Sequence, residues 1–164
     1  MDLLDSLCES CGLSVADGAA GCRGLFEEVI AREFSDFRYG RLHRLTVDVY
    51  SLQHPEQYMR SAKSFAAHLT GMKAALENQN NPGKILEINA VVQKWLSTNP
   101  VLSKPAQLPD KRGELKVSYV HSAANADEHL GRILEWANST WLAWSEHHEL
   151  ARQMIDEAFR KGVR

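Results

Sequence analysis

The chain is predicted to be all-α, a compact bundle of about five helices. Apolar residues recur at helical spacing in several separate segments, and clusters that break helices, such as NQNNPG and TNP, fall between them. No pair of alternating apolar strands stands out. The 164 residues are read as a single domain. It divides into a lead-in at 1–22, a helical core at 23–97, a connector at 98–124 and a long, breakable C-terminal helix at 125–160.

In the lead-in, Asp2–Leu7 suits a helical turn and CESCGLSVADGAAG reads as turn and loop. A loop of that length needs something to fix it in place. The first helix follows at RGLFEEVIAREF, with Leu25, Phe26, Val29, Ile30 and Phe34 on one stripe. Cys22 falls at or just before its start, where the positive end of the helix dipole favours a thiolate. Tyr39-Gly40 turns the chain into a second helix, RLHRLTVDVYSLQHP. Leu42, Leu45, Val49 and Leu52 space helically there, although the β-branched residues make a strand the competing reading. Pro55 ends it, because a residue before proline is disfavoured in the helical region.

QYMRSAKSFAAHLTGMKAALEN is the third helix, with Phe65, Leu69, Met72 and Leu76 inward, and KILEINAVVQKWLS is the fourth. Within the connector, Leu115, Val117 and Tyr119 alternate, so one short extended segment is expected there. The last helix starts near Asp127, with Asn125 and Glu128 as a capping box. Its seam is Ile133, Ala137, Trp141, Trp144, His148, Ala151 and Ile155, with a break admissible at Ser145–His148.

Net charge is −2 and the pI about 6.4. That balance disfavours a nucleic-acid partner and leaves no electrostatic case for an anionic membrane. With no leader-like or membrane-spanning apolar run, the cytoplasm is the expected location.

Cys8, Cys11 and Cys22 are the only cysteines, an odd and clustered set that makes a poor disulfide framework. The spacing suits zinc in a zinc-knuckle-like loop, since thiolates on a CxxC turn can share one tetrahedral ion. Plain reduced thiols and a redox pair are the competing readings, and the redox pair lacks its βαβ context. Seven histidines compete for the fourth position. His43 and His54 differ by roughly 16 Å along the second helix, too far to share an ion at ~2 Å ligand distances. An antiparallel return sets His54 beside Cys22 and His43 at the far end. The ligand set is therefore Cys8, Cys11, Cys22 and His54, with His43 as the alternative to His54. Helix capping is the non-ligand reading of His54.

A second cluster is expected at the opposite end, where His43, His68 and His148 can converge with Asp48 as hydrogen-bond partner, ligand or base. The plainer reading is that each is a hydrogen-bonded core residue and that Trp141 and Trp144 are core. Arg38, Arg41 and Arg44 flank His43 and could hold an anion, but read first as a solvated basic turn.

The joint pattern resembles an uncharacterised bacterial domain family. It runs CESCG, CRGLFEEVIAREF, YGRLHRLTVDVYSLQHP, AHL, then WANSTWLAWSEHH, and the family's members look like CPGCG…C…HxLTVDxYxxQHP…HL…WAxxxWxAWxxHH. The resemblance covers Cys8 to Ile155 and departs at Glu9-Ser10, where the family often has Pro-Gly; neither residue supplies a ligand. It implies zinc binding and no activity.

Two functions follow. One is a zinc-binding helical protein whose metal is mainly structural, an interaction or regulatory module for a protein or small-molecule partner. The other is a metal-dependent enzyme, a hydrolase or thiol-dependent transferase, using the His43, His68 and His148 cluster.

Overall fold

The computed structural model describes residues 4–162 and is mostly helical. Two three-residue strands open it, β1 (Asp5–Leu7) and β2 (Ser14–Ala16), paired antiparallel with Asp5 opposite Ala16 and Leu7 opposite Ser14. The helices are α1 (Gly18–Ser35), α2 (His43–Gln53), α3 (Pro55–Tyr58), α4 (Ala62–Glu77), α5 (Pro82–Ser97), α6 (Val117–His121), α7 (Ala126–Ala143) and α8 (His148–Gly162). Single 3-10 turns lie at Gly40–Leu42 and Ser145–His147. No helix among the described residues is long and apolar enough to cross a membrane.

Helix α4 sits at the centre, in contact with α2, α5 and α8. Helix α2 also contacts α7, and α6 bridges α1 and α7. Phe65, Leu69 and Met72 of α4 are fully buried, as are Val49 and Leu52 of α2 and Ile133, Trp136 and Trp144 from the C-terminal part. Gln53 stitches these layers together. Its side-chain nitrogen donates to the carbonyls of Arg112 and Leu115 (both 2.8 Å), and its oxygen accepts from the Trp136 indole (3.0 Å). The connector is thereby tied to the end of α2 although it has little regular structure of its own.

Several expectations change. The lead-in holds a hairpin where loop was expected; residues 5–7 are strand, not helical turn, and Asp2 lies outside the described residues. Helix α1 begins four residues before Cys22, so Cys22 is in its second turn, beyond the reach of the dipole at the helix end. The third predicted helix is two helices, because Ser61 caps α4 through Ser64 N. The connector segment expected to be extended is α6: Val117 and Val120 are its buried residues, a spacing of three that overrides the alternation. The C-terminal helix does break, at Trp144–His147. The capping box is present, with Glu128 N donating to Asn125 Oδ1 (2.9 Å) while the Glu128 carboxylate accepts from Ala124 N (2.9 Å).

Candidate metal centre

Cys8 and Cys11 sit on the tight turn joining β1 to β2. Cys8 N donates to Leu13 O (2.8 Å) and Gly12 N to Cys8 O (2.7 Å), and Gly12 takes φ +80°, a conformation that suits glycine. Cys22 rises from α1, and His54 stands just past the end of α2. The hairpin lies so close to α1 that a Cβ on Gly21 would be 1.9 Å from the Ala16 carbonyl oxygen. Glycine beside Cys22 is what lets the two cysteine-bearing pieces meet.

The four side chains converge. Cys11 Sγ lies 3.8 Å from Cys22 Sγ, and His54 Nε2 lies 3.4 Å from Cys22 Sγ and 3.6 Å from Cys8 Sγ. All four ligand atoms fall within 4.8 Å of one another, and all four residues are buried. No disulfide joins the cysteines. This Cys3His group can hold a metal ion such as zinc.

The surroundings orient the donors. His54 Nδ1–H donates to Tyr50 O (2.8 Å), which leaves the Nε2 lone pair facing the sulfurs. The imidazole stacks on Tyr50 (3.9 Å between centroids), and Tyr50 stacks on Phe26 (3.8 Å). The hydrogen bond between the two thiols brings Cys11 down to about 4; the same contact, with burial, pushes Cys22 far above its ordinary range. Burial, with the neighbouring Cys22, also keeps the Tyr50 hydroxyl protonated. One face of the centre borders a cleft of about 710 Å³ lined by Cys11, Arg112 and Lys116. Arg112 braces the knuckle from there, donating to Ser10 O (2.9 Å) and pairing with Glu56.

His43, His68 and His148 do not meet, and each takes a separate partner. His43 Nδ1 bonds Glu33 Oε2 (2.7 Å), His68 Nδ1 bonds Asp48 Oδ1 (2.8 Å), and His148 Nε2 bonds Trp141 O (2.7 Å) while its ring stacks on the Trp141 indole. His148 thus closes the end of α7. Among the described residues, the Cys3His group is where three or more such ligands gather. Arg38 pairs with Asp36 and Arg44 with Asp48.

Sequence reasoning passed over Glu33 and His129. Glu33 accepts from Thr46 Oγ1 (2.6 Å), His43 and His129 Nε2 (3.0 Å), and both Glu33 and His129 are buried. A signal existed. Cys22, Phe26, Val29 and Glu33 are spaced by four, three and four on the buried side of α1, so a carboxylate occupies a core position.

A family model described as "Family of unknown function (DUF5946)" matches residues 6–145. No curated protein and no solved structure matches the chain.

Proposed function

We propose that this chain, which belongs to the family of unknown function DUF5946, is a small zinc-binding helical protein whose metal has a structural role. The spacing of the donors carries the reading. A tetrahedral ion with Zn–S of about 2.3 Å and Zn–N of about 2.0–2.1 Å sets its sulfurs about 3.8 Å apart and sulfur to nitrogen about 3.6 Å apart. The corresponding separations here are 3.8 Å and 3.4–3.6 Å. Three thiolates and one imidazole fill a tetrahedral shell, leaving no open position for water or substrate. Bound there, zinc would supply folding free energy by fastening the hairpin to α1 and α2. Cys8 and Cys11 hold the hairpin end, Cys22 the α1 side and His54 the end of α2. Lys116, half-buried beside Cys11, partly offsets the charge of three thiolates. With the shell closed, the protein acts through its surface, as an interaction or regulatory module for a protein or small-molecule partner.

Metal content per chain tests this. Purified wild type should carry one equivalent of zinc, Cys11→Ser and His54→Ala should lose it, and His68→Ala should keep it. Metal-free wild type, or zinc lost with His68→Ala, would overturn the assignment.

A further inference from the structure

A second cleft of about 360 Å³ opens between α2, α4 and α5, away from the cysteines. That volume lies within the range of small-molecule sites. Its polar wall is Arg44 from α2, His68 from α4, and Asn89 and Gln93 from α5, while Val92 and Leu96 supply apolar surface. No carboxylate lines it.

The imidazole is held in a defined orientation. Asp48, whose side chain is completely buried, accepts hydrogen bonds from His68 Nδ1–H at 2.8 Å and from Arg44 Nε at 3.0 Å. Asp48 fits between the helices because Gly71 of α4 has no side chain, and a Cβ there would lie 2.3 Å from Asp48 Oδ2. With Nδ1 engaged, His68 Nε2 has no protein partner among the described residues and is not one of the enclosed unpaired atoms. Arg44 uses Nε on Asp48 and Nη2 on Ala67 O (3.2 Å), leaving Nη1 free among the described residues. The amides of Asn89 and Gln93 make no hydrogen bond within the described chain. His68 Nε2, Arg44 Nη1 and the two amides, all from residues that line one cleft, thus have no protein partner among the described residues.

We propose that this cleft binds a small oxyanion, a carboxylate or phosphate group, together with a proton on His68 Nε2. Neutral His68, protonated at Nδ1 toward Asp48, would present a lone pair to the ligand and repel it. Protonation turns Nε2 into a donor beside Arg44 Nη1 and the two amides, with Asp48 stabilising the imidazolium from behind. The charged groups bonded to His68 or lining the cleft with it are Asp48 and Arg44, both from α2; α5 contributes the uncharged Asn89 and Gln93 to that lining. Val92 and Leu96 would accept a short aliphatic chain on a carboxylate.

Imidazole NMR of the purified, metal-bearing protein tests the site, with inorganic phosphate and butyrate added in separate titrations. At least one should shift the His68 ring signals saturably, and should bind at least about tenfold more tightly in mildly acidic than in alkaline solution. A response to phosphate alone identifies a phosphoryl ligand, and a response to butyrate alone a carboxylate seated over Val92 and Leu96. The response should fall at least tenfold in affinity in an Asn89→Ala/Gln93→Leu variant whose amide spectrum is otherwise that of wild type. His121, which pairs with Glu28 at the surface, should not move. No saturable change with either anion, a parallel change at His121, or an undiminished response in the variant would each refute the proposal.

Discussion

Substituting Gly21 by alanine separates helix propensity from the fit of the hairpin. Within α1, alanine is favoured over glycine by up to about 1 kcal/mol. The new methyl, however, would lie 1.9 Å from the Ala16 carbonyl oxygen, where ordinary contact starts at 3.4 Å. Strand β2 must therefore retreat by about 1.5 Å, and β1 with it, because the two are paired along their length. Cys8 and Cys11 ride on that hairpin while Cys22 stays on the helix. Metal–ligand distances tolerate only about 0.2 Å, so the displacement exceeds what the centre absorbs. Zinc affinity should fall at least as far as for loss of an outer-shell contact, about 10–100-fold. Stability should fall by about 1–3 kcal/mol, the usual cost of overpacking. The control is Gly24→Ala, one turn along the same helix, where a Cβ meets nothing within 4 Å. That variant should keep its zinc and gain about 0.4–1 kcal/mol. Chelator competition and thermal unfolding, run side by side, measure both. If Gly21→Ala matches Gly24→Ala in zinc affinity and midpoint, the account of hairpin docking is wrong.

Gln53→Leu keeps the volume but leaves the Trp136 indole and the Arg112 and Leu115 carbonyls unpaired; at about 1–3 kcal/mol for each stranded group, urea titration should show a loss of at least about 3 kcal/mol. Gly71→Ala should cost about 1–3 kcal/mol by displacing Asp48, and His68 should lose the NMR signature of a hydrogen-bonded Nδ1 proton. For Glu56, burial works to raise the carboxyl, but the Arg112 hydrogen bonds win and hold it below its usual range. A depressed carboxylate stabilises the fold above its unfolded pKa and loses that contribution as pH falls through the folded value. Glu56 itself is half exposed, so Glu56→Gln should remove no more than about 1 kcal/mol near neutrality. Its midpoint should converge on that of wild type in acid, a comparison best made on metal-free samples of both proteins.

The helical segments were legible because their apolar periods are long and their breaks carry strong turn chemistry. The meeting of His54 with Cys8, Cys11 and Cys22 was legible because helix length and an antiparallel return together fix which end of α2 faces Cys22. The hairpin was not, since strands of three residues with exposed or half-exposed side chains carry no alternation to read. Helix α6 was hidden for a similar reason: five residues hold too few repeats to tell a period of two from a period of three. The convergence of His43, His68 and His148 failed on partners that spacing does not reveal. Glu33 took one, Asp48 another and the end of α7 the third, each supplying a nearby acceptor. A carboxylate within an amphipathic helix is ordinarily assigned to the solvent side, which is why Glu33 escaped notice.

The order of the four metal-centre residues along the chain bears on synthesis. All of them, with Phe26 and Tyr50 that buttress His54, lie within the first 54 residues. At a synthesis rate of about 5–20 residues per second, the hairpin, α1 and α2 exist for several seconds before α7 and α8 are made. A nascent chain can therefore close the cysteine–histidine centre before the partners of its remaining apolar faces emerge. Metal supply during translation would then decide whether the later helices dock on a finished platform or on a loose N-terminal third.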